Sequence, residues 1–177
     1  KEFAFELTEQ ASANSLMLTF CYQPFEVFYL TFEKSNTQFL QAFKDVLSNK
    51  SVSKISYNLK ASILLLKEFN IAVEGRLFDP MIAHYLIEPE IGHDLGLLSN
   101  QHLQYQLLEE SHDFIERTCE RVDITLQIKK KLQTELEKRG HNRLMSDVEM
   151  PLLSVLADME YEGVKVDTAV LAKMSEE

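Results

Sequence analysis

The sequence has no long hydrophobic run. No stretch approaches the roughly 18 uninterrupted apolar residues that a membrane-spanning helix needs, and the first ten residues, KEFAFELTEQ, lack the apolar segment of a signal peptide. We therefore expect a soluble, cytoplasmic protein without a membrane partner.

Cysteine is scarce, and the two that occur form no metal-binding or redox pattern. Cys21 and Cys119 are far apart in the sequence, with no CxxC pair and no ligand spacing. Both fall in segments that look buried, which predicts free thiols in the core.

Basic residues are outnumbered. The chain has 18 Lys and Arg against 28 Asp and Glu, a formal net charge of −10. A negative field of this size repels phosphates, so a freestanding module that binds DNA of any sequence is disfavoured. Any contact with DNA is expected to depend on an attached part of a longer protein.

What the sequence does contain is enough apolar residues for one folded domain. The chain has 177 residues, 45% of them hydrophobic and 10% aromatic. Three segments with strand-like alternation, AFELTE, SLMLTFCY and FEVFYLTF, predict an antiparallel meander between residues 3 and 32. The aromatic residues of FEVFYLTF have no basic neighbours in alternation, which favours a place in the core over a base-stacking platform.

The rest of the sequence alternates between strand and helix and then becomes helical. A helix is predicted after the meander, SVSKISYN and RLFD are predicted strands, and each is followed by a helix. Asp79 is expected to cap the last of these helices, in which Pro80 suits the first turn. Further helices are predicted at residues 93–103, 107–139 and about 146–161. The pattern is typical of a mixed α/β sheet with helices against it.

The predicted helix 107–139 has a periodic apolar face and a plausible end at Gly140. Ile115, Cys119, Val122 and Leu126 recur at helical spacing, so we expect all four side chains to be buried on one side.

Three stretches, taken together, resemble the 3'-5' exonuclease domain of family A DNA polymerases, the bacterial polymerase I group. They are SYNLKAS (56–62) followed by LFDPMIAHYLIEPE (77–90), then VDITLQIKKKL (122–132), then VEMPLLSVLADMEYEGVKVD (148–167). The resemblance implies an RNase H-like fold, a mixed sheet flanked by helices with a helical C-terminal half. It also implies an exonuclease-like domain at 1–147 and, at 148–177, a connecting helix and the start of a polymerase domain. A covalently linked polymerase domain, a role in DNA replication and repair through that parent, and a monomeric state are expected.

Members of that family hold two divalent metal ions with four carboxylates, because hard cations want clustered oxygen ligands. The resemblance places the first Asp at Glu6, its partner Glu at Thr8, the next Asp at Ser62 and the last Asp at Arg121. Three of the four acids are replaced, and the fourth is longer by one methylene. Arg117 stands where the family has a Tyr. These positions are therefore interpreted as vestigial, with no catalytic residue, no metal ligand and no cofactor expected.

Neighbouring acids do not replace the missing ones. Glu9 points to the opposite face of its strand from Glu6 and Thr8. Asp123 lies about 200° round a helix from Arg121, and Asp79 is assigned to a helix cap. The five histidines show no zinc-binding spacing, and Ser62 with His84 has no third member of a hydrolytic triad.

Two hypotheses remain open, and they belong to different classes. One is a catalytically silent structural module beside a polymerase domain; the other is an active 3'-5' exonuclease that binds Mg²⁺ or Mn²⁺ through unusual ligands. A third, a protein-interaction scaffold, requires an exposed apolar patch. The first hypothesis predicts that Glu6, Ser62 and Arg121 converge. It also predicts that the Arg121 guanidinium pairs with Glu6 or a nearby acid such as Glu9, and that this pairing lowers the pKa of the carboxyl group.

Overall fold

Strand β1 lies in the middle of a five-stranded mixed sheet. The computed structural model of the protein describes residues 1–10, 14–36 and 38–176. The strands are β1 (Glu2–Glu9), β2 (Ser15–Gln23), β3 (Glu26–Glu33), β4 (Ser53–Ile55) and β5 (Leu77–Phe78), in the spatial order β3-β2-β1-β4-β5. The first three form an antiparallel meander, and β4 and β5 join as parallel strands. The predicted meander and the strand near residues 52–57 are confirmed.

Helices pack against this sheet and make up the C-terminal half. They are α1 (Gln38–Leu47), α2 (Leu59–Glu68), α3 (Pro80–Ile87), α4 (Leu95–Leu103), α5 (Phe114–Arg139), α6 (Asn142–Leu144), α7 (Met150–Glu162) and α8 (Thr168–Glu176). A π-helical turn, Met145–Glu149, precedes α7. Within the described ranges, no helix is both long enough and apolar enough to cross a membrane.

Side-chain alternation in β1 separates the core from the candidate site. Phe5 and Leu7 are buried in the large core that also holds residues of α1, α2, α5 and α7. On the opposite face, Ala4 packs with Val122 and Leu126 of α5 in a smaller cluster. Glu6 lies on the Ala4 side of the strand and therefore faces α5.

The long helix starts later than predicted. Residues 107–113 are not helical; α5 begins at Phe114, where the Asp113 side chain accepts hydrogen bonds from the N–H groups of Ile115 and Glu116. A hydrogen bond to α5 holds the segment before this helix: the Leu108 N–H donates to the Glu120 side chain at 2.9 Å. Asp94 likewise starts α4 at Leu95 rather than at residue 93.

The prediction that four residues on one face of α5 are buried is confirmed for two of them. Val122 and Leu126 are buried against the sheet, whereas Ile115 and Cys119 are only partly buried. Those two residues lie in the first turns of α5, before the helix reaches the strands. Cys21 is the one fully buried cysteine.

The region around Pro151 also departs from a single regular helix. The backbone forms the π-helical turn first, and α7 then runs from Met150 with Pro151 in its first turn. Proline has no N–H to donate within a helix, so it is tolerated at this position. Met150, Leu153 and Ala157 belong to the main core, whereas the described side chains of α8, residues 168–175, are all exposed.

The aromatic residues of β3 are not all in the core, contrary to the prediction. Phe28 and Tyr29 are 45% and 50% exposed, and only Phe32 is buried. The reason is that β3 is an edge strand, with no strand beside its outer side among the described residues.

Candidate functional site: an ion pair between Glu6 and Arg121

Glu6 and Arg121 meet between strand β1 and helix α5. Arg121 Nε donates to both carboxylate oxygens of Glu6 at 3.4 and 3.3 Å, and Nη2 donates to Oε1 at 3.3 Å. The side chains are 13% exposed for Glu6 and 35% for Arg121. The guanidinium is therefore held against the carboxylate in a forked arrangement, and the predicted pairing is confirmed.

Tyr57 supports the same guanidinium from the segment that precedes α2. The Arg121 Cζ atom lies 5.5 Å from the centre of the Tyr57 ring, within the range of a cation–π contact. The Tyr57 hydroxyl donates to the His93 carbonyl at 3.0 Å, which fixes the ring. Arg121 thus has two partners.

The predicted effect on the Glu6 pKa is wrong. Burial raises the pKa of the Glu6 carboxyl above its usual value, and the charge and hydrogen bonds of Arg121 only partly oppose this. The reason is that the neighbouring α5 removes the carboxylate from water, and one partly exposed cation does not restore the lost hydration.

The other vestigial positions take no part in this ion pair. Ser62 is buried in α2, where its hydroxyl lies 3.3 Å from that of Ser56. Thr8 Oγ1 and Arg117 Nε are buried and have no hydrogen-bond partner among the described residues. Among the described residues, Glu6 and Arg121 are therefore the only two of the predicted site positions that hydrogen bonds join.

Asp79 connects the segment at the start of α2 with the segment at the start of α3. It is fully buried; one carboxylate oxygen accepts from the N–H groups of Met81 (2.9 Å) and Asn58 (3.2 Å), and the other from Leu59 N–H (2.8 Å). One side chain thus starts both α2 and α3, which confirms the predicted cap and explains why an Asp suits this motif. Burial raises its pKa to about 6, although these backbone groups oppose the shift.

Asp123 also makes hydrogen bonds, and they point away from Glu6 as its predicted position on the helix requires. Its carboxylate accepts from Phe25 N–H at 2.8 Å and from Gln127 Nε2 at 2.8 Å. Phe25 has a positive φ of 67° in the turn between β2 and β3. Asp123 therefore stabilises a hairpin and does not face Glu6.

A histidine cluster was missed by the sequence analysis. His84 Nδ1 lies 2.8 Å from His93 Nδ1, His84 Nε2 lies 3.3 Å from Gln101 Oε1, and the His84 and His102 rings meet edge to face at 5.8 Å. Spacings of nine residues follow no ligand motif, so only the tertiary fold brings His84 of α3, His93 of the segment before α4 and His102 of α4 together. Burial lowers the pKa of both His84 and His102, which favours neutral rings.

The side chains of Glu6, Thr8, Ser62 and Arg121 do not fit a pair of divalent metal ions. A two-metal site needs several carboxylate oxygens around each ion. Here one carboxylate is already bound by a guanidinium, whose charge opposes a cation. Within residues 1–10, 14–36 and 38–176, no group of three His, Cys, Asp or Glu side chains is arranged to hold a metal.

The mixed sheet with its flanking helices defines an RNase H-like protein. The structure of Brucella melitensis NrnC aligns with a TM-score of 0.77 at 14% identity, covering 94% of this chain and 88% of that one. The POL domain of Pol1 from M. smegmatis, in complex with DNA primer-template and dNTP, aligns with a TM-score of 0.76 at 21% identity over 98% of this chain and 30% of that one. At these identities the likeness concerns the fold.

The family model described as "DNA polymerase I, ribonuclease H-like domain" matches residues 3–114, more than half of the chain. The chain belongs to this family and is an exonuclease-like domain of the DNA polymerase I type. DNA polymerase I of Bacillus subtilis is 29% identical over 152 residues, which cover 77% of this chain and 17% of that relative. The chain thus spans less than a fifth of the curated relative's length.

Proposed function

We propose that this domain is catalytically silent and serves as a structural support for a DNA-directed DNA polymerase in the same polypeptide. The observation that carries the proposal is the Arg121–Glu6 pair at the position where the family resemblance places a metal-binding acid. A guanidinium neutralises the remaining carboxylate without a metal ion, and it stays charged at any physiological pH.

The chemistry of the surrounding side chains supports the same conclusion. Thr8 and Ser62 offer hydroxyls, which are weak ligands for Mg²⁺ compared with carboxylates. Asp79 and Asp123, the two aspartates within the motifs that carry the family resemblance, are bound to backbone N–H groups that fix them in place. Recruiting either acid to a metal would leave those N–H groups unsatisfied.

The C-terminal segment offers a surface for the proposed polymerase domain. Beyond Gly163, α8 and the residues before it carry apolar side chains that are 53% to 88% exposed, and the outer side of α7 continues this surface. These residues are Leu152, Val155, Leu156, Met159, Val164, Val166, Val170, Leu171 and Met174. An apolar surface of this kind is typical of a face that another domain covers. We assign residues 148–177 to the junction with the polymerase domain, and DNA binding to the parent protein as a whole.

A nuclease assay with a restored site tests the proposal. The quadruple variant Glu6→Asp/Thr8→Glu/Ser62→Asp/Arg121→Asp supplies four carboxylates at the vestigial positions. We expect the unmodified chain to leave a single-stranded DNA 3' end intact with Mg²⁺ or Mn²⁺, and the variant to bind Mn²⁺ in calorimetry and to gain metal-dependent cleavage.

The matched control replaces the same four residues with amides, as Glu6→Asn/Thr8→Gln/Ser62→Asn/Arg121→Asn. It has the same shapes without the charges, so it should neither bind Mn²⁺ nor cut DNA. Circular dichroism of both variants establishes that they fold.

The alternative function, an active 3'-5' exonuclease with unusual ligands, makes the opposite prediction. The unmodified chain would then degrade single-stranded DNA with Mg²⁺ or Mn²⁺, and Glu6→Gln would abolish the activity. Such a result would reject the silent-module proposal directly.

A further inference from the structure

Strand β3 forms an open edge of the sheet. It pairs with β2 on one side, and among the described residues no strand lies on its other side. Every second residue of an edge strand points its N–H and C=O groups outward, where another chain can pair with them. β3 has eight residues, longer than most strands, so it offers an extended row of such groups.

This edge lacks the usual protection against pairing. Exposed edges are normally interrupted by Pro, Lys, a bulge or a very short strand. β3 reads EVFYLTFE, without Pro or Lys, and its register with β2 is irregular only near the turn, between Cys21 and Gln23. The opposite edge is different, because β5 has only two residues.

Exposed aromatic rings extend the β3 edge into a surface. Phe28 stacks on Phe20 at 5.4 Å and on Tyr22 at 5.9 Å between ring centres, and Tyr29 projects from the opposite face. Phe28, Tyr22 and Tyr29 are each about half exposed. An added strand would therefore gain backbone hydrogen bonds and apolar contact together.

The charges at the two ends of β3 indicate which kind of chain can pair with this edge. Glu26 and Glu33 are both exposed and stand at the two ends of the strand. A second copy in a full antiparallel register would bring Glu26 of one chain against Glu33 of the other, which is repulsive. The glutamates also repel the phosphates of a nucleic acid. A strand with cationic ends is attracted at both ends.

We propose that β3 is a docking edge for an extended segment of a partner protein, with Lys or Arg at its ends and alternating apolar residues between them. The segment adds antiparallel to β3 as a sixth strand. Its apolar side chains then cover Phe28 and Leu30, and its terminal cations face Glu26 and Glu33. The surface is separate from the Glu6–Arg121 pair, and the proposal does not depend on nuclease activity.

The octapeptide KVTVTVTK is a direct probe of this edge. In the antiparallel register its valines oppose Phe28, Leu30 and Phe32, and its lysines oppose the two glutamates. We expect titration into the full 177-residue chain to shift backbone amide resonances of β3 and to slow exchange of its outward amides. The peptide KVTPTVTK should not bind, because proline removes a backbone donor from the added strand.

Replacing the two terminal glutamates of β3 with lysines tests whether charge determines the binding of the peptide. The variant Glu26→Lys/Glu33→Lys should bind KVTVTVTK about tenfold more weakly or worse, because two attractions become repulsions. The same variant should gain binding of the peptide EVTVTVTE. The control Glu90→Lys/Glu110→Lys changes the same charge at exposed sites outside the strands, and it should leave KVTVTVTK binding unchanged.

Several results would overturn the proposal. One is no shift of β3 amides at millimolar peptide, and another is equal binding by the chain with exchanged charges. Stronger binding of an oligo-dT strand at the same amides would assign the surface to nucleic acid. A dimer in sedimentation that pairs through β3 and excludes the peptide would assign it to a second copy.

Discussion

Glu6 and Asp79 are two buried carboxylates whose charges are compensated in different ways. Glu6 faces a guanidinium from α5, so its compensation comes from a side chain that is itself partly exposed. Asp79 is fully buried and faces backbone N–H groups at the starts of α2 and α3. Burial raises the pKa in both cases. The difference is that Asp79 bonds to the backbone at the starts of two helices, whereas Glu6 bonds to a single side chain.

Removing Asp79 should therefore have the largest effect. Asp79→Ala leaves three backbone N–H groups without their acceptor, that of Leu59 fully buried, and we expect a loss of about 3–5 kcal/mol in the free energy of unfolding. Urea denaturation measures this loss. The control is Asp94→Ala, which removes an exposed cap with a single bond to Leu97 and should cost only about 1 kcal/mol. Equal losses in the two variants would refute the double-cap role.

Arg121→Ala should have the next largest effect, because it leaves Glu6 without its cation. We expect a loss of about 1–2 kcal/mol at pH 7. Adding Glu6→Gln to this variant removes the buried charge and should recover part of the stability. A double variant that is less stable than Arg121→Ala would show that Glu6 does not carry an uncompensated charge there.

The raised pKa of Asp79 predicts a pH dependence with a definite sign. The folded chain holds the Asp79 proton more tightly than the unfolded chain, so this stabilising contribution is complete below pH 3.8 and is lost as pH rises through about 6. Asp79→Asn cannot lose that proton. Its stability relative to the unmodified chain should therefore improve between pH 4 and pH 7.

Urea midpoints of both chains across this range provide the measurement. All other side chains are the same in both chains, so their contributions cancel in the difference. The opposite trend would mean that the three backbone hydrogen bonds outweigh burial and hold the pKa of Asp79 below its usual value.

The smallest effect is expected at Asp123. Asp123→Asn keeps an oxygen that accepts from Phe25 N–H, so the free energy of unfolding should fall by no more than about 0.5 kcal/mol. Asp123→Ala removes that acceptor and should cost about 1–2 kcal/mol. If the Asn variant were as unstable as the Ala variant, the charge and not the hydrogen bond would hold the β2–β3 turn.

Local patterns determined much of the fold. Strand alternation in the first 32 residues predicts the meander, and Pro80 after Asp79 predicts the start of α3, because these signals act over a few neighbouring residues. The resemblance to the polymerase family then assigned Glu6 and Arg121 to one site although they are 115 positions apart. Their opposite charges made the ion pair predictable.

The tertiary structure decided what depends on burial and on distant neighbours. The Glu6 pKa rises because α5 covers the carboxylate, and the sequence carries no measure of that desolvation. His84 and His93 meet because the fold brings the segment before α4 to α3, and Phe28 is exposed because β3 is at the edge of the sheet. A sequence pattern records which side of a strand is apolar, but only the packed fold determines whether anything covers it.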